Sequence, residues 1–134
     1  MTETITRKLA GRTYSVDVPT FERKGERAIT DADLARAELA IAAGVAADGP
    51  VSAEGFRFMR KAANLKAAEL GELLGVTPKT ISRWENGAHE LDRTAWLAIG
   101  DIVLELAGKP IEARARLERI AVGFKPPKER RVSL

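Results

Sequence analysis

The sequence predicts a mainly α fold in which a small β-hairpin plus helix module precedes a helical bundle. Three observations carry that prediction. Residues 4–18 alternate with period two, Ile5, Arg7 and Leu9 being answered by Tyr14, Val16 and Val18, which is the pattern of paired strands with one buried face. From Thr30 onward, apolar residues recur at helical spacing instead. The helical runs are also punctuated: Thr30, Ser52, Thr77 and Asp92 stand where N-caps belong, and Gly44, Gly75, Gly87 and Gly108 stand where helices stop.

Length and composition set the bounds. A chain of 134 residues that is 45% hydrophobic suits one domain or two very small ones with a real core. It contains no cysteine, so neither a disulfide framework nor a thiolate metal site is available, which fits a reducing cytoplasm. No run of about 18 apolar residues is present to cross a membrane. The opening residues MTETITRKLAGRTYSV lack an apolar signal core. The net charge is +3, unevenly placed. Residues 1–50 and 51–108 each carry 7 Lys+Arg against 8 Asp+Glu, whereas residues 109–134 carry 8 against 3.

In chain order, Ala10-Gly11 makes the turn of the first hairpin and Pro19 ends its second strand. Thr30 caps a helix that carries Leu34, Ala37, Leu39, Ile41 and Ala42 and ends at Gly44. Ala46-Ala47-Asp48-Gly49-Pro50 breaks the chain and marks the domain boundary. The expected units are therefore 1–48 (hairpin and linking helix), 51–108 (helical domain) and 109–134 (basic helix and tail). Ser52 caps the next helix, on which Phe56, Met59 and Ala63 turn to the core. Arg57, Arg60 and Lys61 occupy its remaining face. Later, Leu91-Asp92 reads as a staple and cap for a helix bearing Ala95, Trp96, Ile99, Ile102, Val103 and Leu106. Trp96 belongs either to the core or to a dimer interface. Residues 111–121 predict a short helix. Beyond it, GFKPPKERRVSL holds too few apolar residues to pack alone. That tail is either disordered or a source of salt-sensitive phosphate attraction.

The centre of the chain is AAELGELLGVTPKTISRWENG, residues 67–87. Ala67, Leu70, Leu73 and Leu74 form one apolar face of a first helix. Gly75 supplies a tight turn at positive φ, and Val76 plugs inward. Thr77 is a good N-cap and Pro78 suits the first helical position. The second helix buries Ile81 and Trp84, leaves Lys79, Thr80 and Arg83 outward, and stops at Asn86-Gly87. A polar, basic helix face set by a short turn on a supporting helix is what entry into a DNA major groove requires. Lys79 and Arg83 can donate to guanine, and Thr80 can meet a base edge or a thymine methyl. Arg57, Arg60 and Lys66 are candidates for phosphate contacts. Ser82 and Asn86 either meet phosphate or cap the helix.

The pattern LxxLLGVxxxTISRWENG of residues 70–87 resembles the helix-turn-helix of the Cro/C1 (XRE) phage-repressor family. This resemblance implies a five-helix repressor-like domain on double-stranded DNA, with dimers on inverted repeats. The chain departs from that pattern at Ala67, where such domains commonly place a phosphate-binding Gln. A second resemblance spans nearly residues 4–106. The strand, the Val-Pro step at 18–19, the FERKGE of 21–26 and the helix after it are similar to the N-terminal module of MqsA/YgiT-type antitoxins. Phe21 and Lys24 stand where that family has its zinc cysteines, while Gly25 and Glu26 match. The resemblance implies an antitoxin that has lost its zinc, with Phe21 packing in the metal's place, and that binds a toxin while repressing its own operon. Read without the resemblance, FERKGE is a polar loop.

No catalytic constellation is visible: there is no GxxxxGK[ST], GxSxG, HExxH or cysteine nucleophile. The single histidine, His89, can build neither a metal site nor a triad and is expected to be a solvated loop residue. The expected function is a sequence-specific DNA-binding regulator without cofactor or metal. It would act as a homodimer, with a cognate toxin as the partner that the resemblance implies. The rival readings are a stand-alone repressor and a helical adaptor that does not bind DNA.

Overall fold

A computed structural model describes all of residues 1–134. Strands β1 (Thr2–Leu9) and β2 (Arg12–Pro19) form an antiparallel hairpin in register from Thr2↔Pro19 to Leu9↔Arg12. Its two-residue turn puts both Ala10 and Gly11 at positive φ, 49° and 75°, the geometry whose twist matches that of the flanking strands. The segment expected as a loop or metal-knuckle remnant is a second hairpin, β3 (Phe21–Arg23) and β4 (Glu26–Ala28). Lys24-Gly25 repeats the same turn, at φ 54° and 79°. Phe21 is 42% exposed, so it does not fill a vacated metal site by apolar packing, contrary to expectation.

Helix α1 (Asp31–Asp48) starts at Thr30, whose hydroxyl accepts the Asp33 amide at 3.0 Å. It runs four residues past the expected stop at Gly44. That glycine is a packing residue and not a terminator: a Cβ there would lie 2.8 Å from Val132 Cγ1. Residues 40–46 are buried without interruption, because α1 has the sheet on one side and helices on the other. Those helices are α2 (Ala53–Ala62), α3 (Ala67–Leu74), α4 (Pro78–Glu85), α5 (Arg93–Leu106) and α6 (Ala113–Val122). Ser52 and Asp92 cap α2 and α5 as expected, accepting from Gly55 and Thr94 amides. Trp96 is 1% exposed and belongs to the core.

The C-terminal tail is neither disordered nor free. Strand β5 (Glu129–Val132) pairs in parallel with β2, from Thr13↔Glu129 to Val16↔Val132, giving the sheet order β1-β2-β5. The expected divisions at 48–51 and 108–109 thus separate stretches of sequence but not of core. One apolar cluster runs from Val16 and Val18 through Ile41 to Phe56, Ile81 and Val103. Six helices are present, α1 serving as the shared spine.

Arginines of the C-terminal segment explain its order. The last carbonyls of a helix have no partner within it. Arg116 Nε donates to Ala46 O at 2.9 Å and Arg119 Nη1 to Ala47 O at 2.6 Å. Arg130 pairs with Asp48 and Arg131 with Asp17. Cations at a helix C-terminus also face the negative end of its dipole. Arg116 is 3% exposed and further donates to Leu97 O and Asp101. Its guanidinium lies where a Cβ on Gly100 would be, 1.9 Å from Nη2. Burial pushes the Asp48 carboxyl above its ordinary pKa, against the pull of Arg130 and Arg119.

Candidate nucleic-acid interface

Helices α3 and α4 and the turn between them form the expected helix-turn-helix. α3 packs through Leu70, fully buried, and Leu74, half-buried, but Leu73 is 65% exposed and does not join that face. Eight residues make little more than two turns, and the stripe they can bury is too narrow for three leucines at 70, 73 and 74. Close approach of the turn is set by Gly71, where a Cβ would be 2.7 Å from Val76 O, and the Val76 amide donates to Gly71 O at 2.9 Å. Gly75 then reverses the chain at φ 72°. Gly71 went unread in the sequence, because a mid-helix glycine looks like a weak helix residue until the turn above it is known.

α4 is fixed at both ends. Thr77 Oγ1 accepts the Thr80 amide at 3.2 Å and lies 3.1 Å from the Thr80 hydroxyl. At the other end Asn86 Oδ1 accepts the Ala88 amide at 2.9 Å and Gly87 turns at φ 77°. Ile81 and Trp84 anchor the inner face, Trp84 meeting Phe56 edge-on at a centroid distance of 6.0 Å, a favoured aromatic arrangement. Outward, Lys79 and Ser82 are exposed and Arg83 is half-buried. Neither Lys79 nor Arg83 has a carboxylate partner within the protein. Four residues apart, they share one helical face.

Arg60 does something other than the expected phosphate contact. Its Nε and Nη2 grip both carboxylate oxygens of Glu85 at 2.6 and 2.8 Å, and Nη1 donates to Leu65 O at 2.9 Å. The two side chains are 12% and 10% exposed. All three guanidinium nitrogens are thereby committed, and the hydrogen bonds to Glu85 raise the Arg60 pKa further. Arg60 ties α2 to the C-terminal end of α4 and sets the angle at which α4 is presented. Arg57, Lys61 and Lys66, by contrast, are exposed. Glu69 accepts the Lys66 amide at 3.0 Å, so a carboxylate occupies the start of α3 where Ala67 leaves no Gln.

His89 is exposed in the loop after α4. No group of three or more potential metal ligands comes together anywhere in the chain. No helix is long and apolar enough to cross a membrane. A cleft of about 490 Å³ lies behind α4, between Trp84 and Gly87 on one side and Arg119 and Phe124 on the other.

No curated protein matches the chain, and neither does any solved structure. A family model does match, across the stretch from α2 into α5 that presents α4. Residues 56–99 match the helix-turn-helix family model, and the chain therefore carries a helix-turn-helix domain of the kind found in DNA-binding transcription regulators.

Proposed function

We propose that this chain is a sequence-specific transcriptional repressor that binds an inverted-repeat operator as a homodimer. In this reading α4 enters the major groove. Lys79 and Arg83 donate to base edges, Thr80 offers its methyl or hydroxyl, and Arg57, Lys66, Ser82 and Asn86 meet phosphates. The observation that carries it is the state of the α4 outer face: two cations on one side of a helix, unpaired, with both helix ends fixed. An unpaired pair of cations on one face of a helix fixed at both ends has few uses within a fold. A single module buries too little surface for tight operator binding, which favours two copies on half-sites roughly one helical turn apart.

The finer proposal is that the protein is a cytoplasmic antitoxin that represses its own operon and neutralises a partner toxin. Its support is the likeness of residues 4–106 to zinc-bearing antitoxins, in a chain that has no cysteine for the metal. The direct test is binding of the purified chain to its own upstream DNA, titrated against salt and random competitor. Selective retention on an inverted repeat is the expected result. Equal loss to competitor would remove operator recognition and favour a helical adaptor. Co-purification with the product of a neighbouring gene then tests the antitoxin reading separately.

A further inference from the structure

Strand β1 is an edge. β2 covers one of its sides, and the sheet ends on the other. Eight residues of unpaired strand edge invite a further strand, and proteins usually blunt such edges. Here the backbone groups can be assigned. In a two-residue hairpin the residues flanking the turn exchange hydrogen bonds, and the bonding alternates from there. Leu9↔Arg12 flank the turn, and at the far end the Thr20 amide donates to Met1 O at 2.9 Å. Odd-numbered residues of β1 therefore bond to β2. Thr2, Thr4, Thr6 and Lys8 turn their N–H and C=O groups to the open side. The one group found there is the strand's own: Arg7 Nη1 donates to Thr6 O at 2.9 Å.

The side chains on this edge are self-complementary. Glu3, Ile5 and Arg7 share one face of the sheet, opposite Val18, Val16 and Tyr14. Neither Glu3 nor Arg7 has a salt-bridge partner in the chain. Ile5 is half-buried at the margin of the core. If a second β1 pairs antiparallel with Ile5 on the two-fold axis, Thr4 faces Thr6 of the other copy and Thr2 faces Lys8. All of these are residues whose backbone groups point outward. Glu3 then faces Arg7 twice over, and the two Ile5 side chains meet at a non-hydrogen-bonded pair, the closest cross-strand approach. Sliding the register by two in either direction leaves Glu3 opposite an apolar side chain.

We propose that the occupant of the β1 edge is a second copy of this chain, paired β1 to β1 with Ile5 at the centre, joining the two sheets into one. This rests on the homodimer reading above and names its interface. Because the chain has no cysteine, Ile5→Cys introduces a single reporter. Mild oxidation of that variant should give a disulfide-linked dimer, while Thr2→Cys, placed opposite Lys8, should not. Sedimentation of the full chain should show Glu3→Arg and Arg7→Glu each weakening the dimer by about tenfold or more, as two attractive pairs become repulsive. The double variant Glu3→Arg/Arg7→Glu should recover it, which a merely structural role for either residue would not produce. A wild-type dimer that both single reversals leave intact overturns the β1 interface and leaves the homodimer reading standing. A chain that is monomeric alone and on inverted-repeat DNA removes both, and leaves the edge to a strand of another protein.

Discussion

Two sets of basic residues in this molecule look alike in the sequence and are used in opposite ways. Lys79 and Arg83 on α4 face outward with no carboxylate beside them. Arg116, Arg119 and Arg130, from the most positively charged stretch of the chain, turn to Ala46 O, Ala47 O and Asp48, and Arg131, though exposed, is paired with Asp17. The difference lies in what each set finds within reach. The C-terminal segment meets the end of α1, whose carbonyls need donors. The outer face of α4 meets nothing. A count of Lys and Arg is therefore a poor map of DNA affinity. The cations that remain available are those the fold has not already neutralised.

That contrast can be broken most severely at Gly100. A methyl there displaces the Arg116 guanidinium and strands buried polar groups, so Gly100→Ala should lower unfolding free energy by about 3–5 kcal/mol. Chemical denaturation measures it, and a change under about 1 kcal/mol would mean that Arg116 can leave at little cost. Arg60→Met leaves the Glu85 carboxylate buried and alone. We expect about 2–3 kcal/mol of lost stability, with specific DNA affinity falling too, because α4 loses its brace. Arg83→Ala belongs to the other side of the comparison. Stability should hold while specific affinity drops by about 1–3 kcal/mol, and an unchanged affinity in the folded variant would take Arg83 out of the reading set. Smaller still, Lys66→Ala should reduce the salt slope of binding by about one phosphate, whereas Arg130→Gln should leave that slope alone.

Acid titration separates the carboxylates that these arginines neutralise. The Thr4 hydroxyl, followed by Arg131, holds the Asp17 carboxyl below its ordinary pKa of 3.8. Its native pKa being depressed, its contribution is present above the unfolded value and fades as pH falls through the native one. Asp48 runs the other way. Burial lifts its pKa above 3.8, so its contribution declines as pH rises from there to the native value. Asp17→Asn should flatten the loss of stability in acid, and Asp48→Asn should steepen it; urea midpoints across the acid range would show slopes of opposite sign.

Local signals made much of the fold legible. Thr30, Ser52, Thr77 and Asp92 cap helices because a short side-chain oxygen before an apolar run has one economical use. The turn at Gly75 and the burial of Ile81 and Trp84 follow in the same way, as does the outward set of α4. What escaped depended on distant partners. Gly44 resembles a stop until Val132 is seen against it. Arg60 resembles a surface cation until Glu85, 25 residues on, is found beside it. KPPKERRVSL is too polar to fold alone, and it orders only because β2 offers an open edge and α1 an uncapped end. The FERKGE hairpin does have a local signal, since Lys-Gly between two short polar runs fits a tight turn, whereas its likeness to a metal knuckle points to a different structure.

The parallel pairing of β5 with β2 also sets a timetable. Thr13 finds its partner at Glu129, across nearly the whole chain, whereas the helix-turn-helix closes through neighbours. Contacts of such separation form late, because the entropy of closing the long loop is lost before the contact returns anything. During synthesis α2 through α5 can assemble while the carbonyl end of α1 still waits for Arg116 and Arg119. The half-made molecule would thus present a finished reading head on an unfinished spine, and its lifetime in that state would be governed by how quickly the last strand arrives.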